Sequence, residues 1–378
     1  VALGTGASSP AAPDVSVVTS GHDVADARLH REVAALRRAG LSVEVLGLGE
    51  PTAGPEGAVV RTWPRGSMPA RGWRAVRLPF RARGRVLLTL DPDVVPATLL
   101  AGRLRRRVVV ADVHEDYVSL LRDRGWVPRP LLGALRKAAG ACVGLTGRAA
   151  LTVVADAHVP PSDTGCRRRL VVRNLPDPDL LPAPAPLPES PELRAVYIGD
   201  VRTTRGLRTM VEAIALAPAW RLDVVGPVAA ADQRWVTERV AAPDVAGRIV
   251  MHGRRPPRES WTIGAGASVG LMLMERTPAF VDAVPTKLYE YLACGLAVLG
   301  TPMPRVEAML AGTGAGVLVE GAEAAAAVLR EWSDRPAELV KARQAALDWA
   351  ARELRGPSPY DDLASAVRDL ASAVRPSR

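Results

Sequence analysis

The chain has 378 residues and is poor in cysteine, phenylalanine and lysine. Its three cysteines, Cys142, Cys166 and Cys294, are odd in number, far apart and form no C-x-x-C pair. That excludes a disulfide framework and a thiolate zinc knuckle, and it points to a reducing compartment. No run approaches about eighteen uninterrupted apolar residues, so no membrane-spanning helix is expected. Val1–Pro13 lacks a basic stretch followed by an apolar one and reads as a flexible leader, not a signal peptide. No G-x-G-x-x-G dinucleotide fingerprint follows any strand, and there is no G-x-x-x-x-G-K-[ST] phosphate loop and no G-x-S-x-G elbow. Histidine and acidic residues show no metal-site spacing, so no metal is expected.

What is present is the balance of a folded globular chain. Hydrophobic residues make up 48% and charged residues 24%, and the 33 glycines and 33 prolines follow no repeat period. Disorder and fibre are therefore excluded, and the length predicts two domains. The formal charge is +9, carried almost entirely by arginine; the only lysines are Lys137, Lys287 and Lys341. With abundant Ala, Gly and Pro, this reads as coding bias of a high-G+C, actinobacterial-type genome. A lysine is then informative, because arginine is this chain's habit.

Short apolar runs alternate with helical patterns. Strands are expected at Val15–Thr19, Val43–Leu46, Val86–Leu90, Arg107–Ala111 and Leu151–Val154. After the Pro-rich tract Pro176–Pro191 they resume at Ala195–Ile198, Leu222–Val225, Arg248–His252, Ser268–Leu273 and Ala297–Leu299. A helix over Ala25–Ala39 stops at Gly40. This alternation predicts an α/β protein of two doubly wound, Rossmann-like domains with parallel sheets, facing across a cleft. The expected division is 1–180, 193–355 and a terminal segment 356–378. Its helix, Asp361–Val374, carries an apolar stripe that must dock.

Ligands of such domains gather where strands end. The loop from Gly199 to Gly206 brackets Arg202 and Arg205 before a helix and suits a diphosphate; a plain surface turn is the alternative. At Pro285-Thr286-Lys287-Leu288-Tyr289-Glu290, proline is expected at the first helical position, with Gly295 closing the helix. Lys287 then sits at the dipole's positive end, where only an anion would offset its charge, and Glu290 follows on the same face. A simple Lys287–Glu290 ion pair is the alternative. Asp112-Val113-His114-Glu115-Asp116 and Asp91-Pro92-Asp93 end two strands and mark a second polar site, with a structural histidine as the alternative. Arg71–Arg85 mixes Trp73, Val76 and Phe80 with arginines. It reads as a domain helix with its apolar stripe inward, or as a basic helix lying on a membrane.

These residues resemble the retaining GT-B glycosyltransferases of family 4. The resemblance covers most of the chain and rests on Asp26–Glu32, Asp91-Pro92-Asp93, Asp112–Tyr117, Tyr197-Ile198-Gly199 with Arg205-Gly206, Val225-Gly226 and, most specifically, Pro285–Gly295. It implies that the C-terminal domain holds a nucleotide-diphosphate-sugar, a UDP- or GDP-sugar, as co-substrate with no cofactor. The donor residues would be Gly199, Arg202, Arg205, Gly226, Pro285, Thr286, Lys287, Leu288 and Glu290. Arg205 would replace the family's diphosphate lysine, and Glu290 would be the ribose-binding second carboxylate of the E-x7-E motif. His114 and Asp282 would be catalytic. Gly21, His22, Arg28, Asp91, Asp93 and Glu115 would lie on the acceptor side.

The chain departs from the family where Asp282 replaces the first Glu of E-x7-E and where Asp200 follows Gly199 in place of arginine. The resemblance implies a metal-independent hexosyltransferase whose acceptor is a secondary metabolite, an envelope glycan or a lipid. Cysteine usage points to a cytoplasmic location, and the basic Arg71–Arg85 segment admits weak peripheral contact at the inner membrane face; the oligomeric state stays open. A nucleotide-sugar 2-epimerase shares the architecture but needs extra carboxylates and a histidine at the sugar, of which the sequence shows no clear set. A nucleic-acid binder is motivated by the pI of 10.1. The scattered arginines and 4% aromatics argue against it, so no nucleic-acid partner is expected.

Overall fold

The computed structural model describes residues 12–121, 129–182, 188, 191–278, 280–354 and 356–373. The expected leader, much of the Pro-rich tract and Val374 lie outside them. The described residues form two compact units, one of 12–121, 129–173 and 359–373, the other of 174–358.

In the first unit the elements run β1 (Val15–Asp23), α1 (Ala27–Arg38), β2 (Val43–Leu48), β3 (Val59–Trp63), α2 (Met68–Arg81) and β4 (Val86–Thr89). They continue as α3 (Val95–Leu104), β5 (Val108–Val113), α4 (Tyr117–Leu120), α5 (Arg129–Thr146), β6 (Leu151–Val154) and β7 (Arg169–Val171). The parallel sheet has the order β3-β2-β1-β4-β5-β6-β7. The order reverses between β1 and β4, so the loops leaving these two strands diverge and open a crevice. Successive strand residues point to opposite faces, so Val15, Val17, Val45 and Leu88 pack under α1, while Val18, Leu46 and Leu87 pack under α2 and α3.

The second unit runs β8 (Arg194–Ile198), α6 (Leu207–Ala215), β9 (Arg221–Val225), α7 (Gln233–Val240), β10 (Ile249–Gly253), α8 (Pro257–Gly264) and β11 (Val269–Met272). Then come α9 (Thr286–Ala293), β12 (Ala297–Gly300), α10 (Pro304–Leu310), β13 (Gly316–Leu318), α11 (Gly321–Asp334) and α12 (Pro336–Glu353). Its parallel sheet, β10-β9-β8-β11-β12-β13, repeats the reversal between β8 and β11. The last helix, α13 (Pro359–Ala373), joins the first unit and buries Tyr360, Leu363, Ala364 and Val367 in the core beneath α1.

Each central strand lies at or beside its expected place. Three strands have no counterpart in the sequence reading, β3, β7 and β13, and each is the edge of a sheet. An edge strand is covered less completely and needs no continuous apolar run. The expected inward stripe of Trp73, Val76 and Phe80 is corrected in part, for Phe80 packs against the core of Ala75 and Leu78. Helix α2 buries Ala75, Leu78 and Pro79, and leaves Trp73 and Val76 more than half exposed. Pro79 falls in the last helical turn, where it removes the bond to the Ala75 carbonyl, and the helix ends two residues on at Arg81.

Candidate functional site

Two polar clusters form where the strands end, one in each unit. In the first, β1 and β4 converge at the crevice. Asp91, buried at the end of β4, accepts hydrogen bonds from the backbone N–H of Ser20 (2.9 Å) and of Gly21 (3.1 Å), and from the Thr19 hydroxyl. Its other oxygen lies 3.1 Å from His22 Nδ1 and 3.2 Å from the Arg71 guanidinium. Arg71 also donates to Asp93 at 2.9 Å, and the Ser20 hydroxyl reaches the same carboxylate. A Cβ on Gly21 would stand 2.7 Å from the Arg71 guanidinium, so glycine makes the room that Arg71 fills.

His22 Nε2 faces His114 Nε2 at 3.1 Å, and the ring centroids are 4.9 Å apart. Two N–H groups at that distance would collide and two lone pairs would repel, so one proton lies between the rings. His114 Nδ1 is 3.1 Å from Asp112, which orients the ring, and the Tyr117 hydroxyl is 3.3 Å from Nε2. Burial opposes a charge on His22, but Asp91, with Asp26 and Glu115, outweighs it and raises its pKa to about 10. Asp91 is held well below the usual carboxylate range: burial works against its charge, and His22 and Arg71 overcome that. Hence the proton between the rings belongs to His22, and its Nε2–H faces His114 Nε2.

Arg28 does not reach this crevice as an acceptor contact, contrary to expectation. It is 5% exposed, forms a two-pronged pair with Asp112 (2.6 Å for each prong) and touches the Tyr360 hydroxyl at 3.4 Å. Arg31 donates to the same hydroxyl at 3.1 Å. Arg28 is therefore the back support of Asp112, and α13 closes over both. Asp26 caps α1 through the N–H groups of Arg28 and Leu29. Glu115 is half-buried beside His22, and Asp116 caps α4. Sequence reasoning missed Arg71 and Tyr117 as site residues. Arg71 lies on a helix read only for amphipathicity, and no local motif links it to Asp91.

The second cluster surrounds the start of α9. Gly199 and Gly226 have φ of +139° and +150°, and a Cβ on Gly226 would stand 1.8 Å from the Gly199 carbonyl oxygen. Only glycine lets the two loops stack this closely. Beyond them, Gly206 (φ +89°) brings the α6 start against Leu273. Lys287 is 6% exposed, and its Nζ has no hydrogen-bond partner among the described residues and sits 3.6 Å from the Tyr197 ring centroid. Burial, with the Arg205 charge behind it, pushes its pKa well below the ordinary lysine value; Glu290 and Asp200 oppose this only in part. Arg205 leans on the Phe280 ring at 5.4 Å, and its Nε is buried without a partner.

Several expectations for this cluster are corrected. Pro285 is the cap residue before α9 and not its first helical residue; its ψ of 136° is extended. Leu288 is fully buried in the core and its N–H is already bonded to the Pro285 carbonyl at 3.0 Å, so it offers a donor nothing. Arg202, expected to face the diphosphate, is paired with Asp200. The N–H groups of Thr286 and Lys287 open the helix, and Glu290 lies one turn on, half-buried. Asp282 is exposed in the loop before α9, where its carbonyl accepts from Arg305 at 3.1 Å. Among the described residues no group of three or more His, Cys, Asp or Glu side chains is arranged to hold a metal, and no helix is long and apolar enough to cross a membrane.

Residues 202–359 match a family model described as glycosyl transferase-like. The sequence matches no curated protein. HepE of Anabaena, solved with UDP-glucose, superposes with a TM-score of 0.64 at 13% identity, covering 96% of this chain and all of that one. WaaG, a glycosyltransferase involved in lipopolysaccharide biosynthesis, gives 0.64 at 14% identity over the same shares. Sucrose-phosphate synthase from Thermosynechococcus elongatus gives 0.63 at 14%, again with 96% and complete coverage. The fold is GT-B, with two Rossmann-like parallel-sheet domains. The family match and the fold together support a glycosyltransferase.

Proposed function

We propose that the protein is a retaining, family-4-type glycosyltransferase that moves a sugar from a nucleotide-diphosphate-sugar, a UDP- or GDP-sugar, to a metabolite, envelope glycan or lipid acceptor. The observation that carries this reading is Lys287: a buried ammonium group with no hydrogen-bond partner, beside Arg205 and a helix N-terminus. An isolated cation in such a place is unfavourable until a dianion joins it, and a diphosphate also satisfies the open N–H groups of α9. Lys287, Arg205 and the helix dipole then stabilise the leaving diphosphate without a metal. Glu290 is placed one turn along α9, where a ribose would follow. The departing phosphate oxygen takes the acceptor proton in front-face attack. His114, fixed by Asp112, orients a hydroxyl in the first unit.

The test is a thermal-shift screen with UDP, GDP and dTDP, since a ligand that binds only the folded state raises Tm by mass action. One nucleotide should stabilise the wild type and not Lys287→Ala; no shift with any of them would sink the reading. A second reading is favoured by the carboxylates and paired histidines around His114, a set that the sequence did not reveal. It is a nucleotide-sugar 2-epimerase, and deuterium entering sugar C2 from heavy water without any acceptor would select it.

A further inference from the structure

The apolar side chains that face solvent are unevenly spread. Of the eleven large ones exposed among the described residues, seven lie on α2, α3 and α5. These are Met68, Trp73 and Val76, then Leu100 and Leu104, then Leu131 and Leu135. The three helices cover one face of the first unit's sheet, through the cores that join Ala75 and Leu78 to Ala101, and Val95 and Leu99 to Leu145. None of their residues is Asp or Glu, although the chain carries 40 acidic residues. Arg77, Arg81, Arg103 and Lys137 are exposed there with no carboxylate partner among the described residues. Arg77 stacks on Trp73 at 3.8 Å. Beside Leu100, a groove of about 660 Å³ runs over Leu99 and is walled by Arg103, Arg107, Arg148 and Arg167. On the opposite face of the sheet α13 carries Asp361, Asp362 and Asp369, in contrast to these three helices.

We propose that the outer face of α2, α3 and α5 docks the first unit on an anionic lipid surface, with phosphate headgroups in the arginine-walled groove. Exposed Leu, Met and Val have no use against a nucleic acid, whose backbone needs cations and whose bases need aromatics. Apolar groups interleaved with unpaired cations and an interfacial Trp suit a headgroup boundary. This inference does not depend on the transferase reading.

Vesicle flotation of the full chain tests it. Phosphatidylglycerol vesicles should carry the protein at low salt and release it at high salt, and phosphatidylcholine vesicles should carry little. The triple variant Arg77→Glu, Arg103→Glu, Lys137→Glu should bind phosphatidylglycerol about a hundredfold more weakly. Trp73→Ser with Leu104→Ser should lose roughly tenfold and keep the salt dependence. Both variants should keep the wild-type thermal transition and nucleotide response, which separates lost docking from lost folding. Equal binding to both lipids, no binding to phosphatidylglycerol, or an unchanged triple variant would overturn the proposal. So would displacement of the vesicles by a duplex oligonucleotide, or a dimer in solution that Leu104→Ser dissolves; these would give the face to nucleic acid or to a second copy.

Discussion

The two units share a sheet order around their reversal point and use it in opposite ways. At the first, charges are paired in a continuous series from Arg71 through Asp91, His22 and His114 to Asp112 and Arg28. At the second, Lys287 and Arg205 have buried nitrogens left without partners. A paired network fixes geometry and leaves little charge to offer; unpaired buried cations leave their binding capacity unspent. On this contrast the first unit positions an acceptor and the second captures an anion.

The sharpest way to break the comparison is to unbalance the paired side. Arg28→Met leaves Asp112 buried without its cation, and such a loss costs about 3–5 kcal/mol. Denaturant unfolding should show it, and a change below about 1 kcal/mol would mean that the network does not hold the unit together. The reciprocal change, Asp112→Ala, should cost less. Glu32 lies 3.3 Å from Arg28, and burial together with Asp112 raises its carboxyl pKa well above the usual range. With Asp112 gone it can ionise and take over the arginine.

Next in size is the separation of turnover from binding. His114→Ala should reduce turnover by roughly 10²–10⁴-fold, the usual contribution of a positioned acid–base group, and leave nucleoside diphosphate affinity nearly unchanged. Lys287→Ala should lower turnover as well, by removing a charge from the leaving diphosphate, and unlike His114→Ala it should reach nucleotide binding. It removes an unsatisfied buried cation, so stability should hold or rise, while nucleotide binding weakens about ten- to a hundredfold. Titration calorimetry of both variants decides it. If His114→Ala loses the nucleotide and Lys287→Ala keeps it, the roles of the two units are exchanged. Activity should also persist in excess EDTA; loss restored by Mg²⁺ or Mn²⁺ would contradict the metal-free mechanism.

The central strands were legible because they are covered on both faces and must be apolar throughout; β3, β7 and β13, at the sheet edges, were not. Lys287 and the Gly199–Gly206 loop could be read from local spacing, since a helix start and its neighbours are contiguous in the chain. The first-unit cluster could be read only in pieces. His22 and His114 are 92 residues apart, and only the pairing of β1 with β4 and of β4 with β5 brings them to one crevice. The role of Arg28 was misread for the same reason. Its partners Asp112 and Tyr360 come from a distant strand and from the last helix, and nothing in the Asp26–Glu32 segment announces them.

The last comparison tests the charge on His22 itself. Its pKa rises from 6.5 unfolded to about 10 folded, because Asp91 and its acidic neighbours outweigh the burial that opposes the charge. A raised histidine pKa means that the folded state holds a proton which the unfolded state has released. The stabilisation is complete below pH 6.5, declines as pH rises, and is gone above about pH 10. His22→Gln keeps a side chain able to donate toward Asp91 and has no such proton. Wild type should therefore lose stability relative to His22→Gln across that window, measured as the difference between their urea unfolding free energies at successive pH values. Parallel curves from pH 6.5 to 10 would mean that His22 is neutral in the folded protein. The proton between the rings would then be donated by His114.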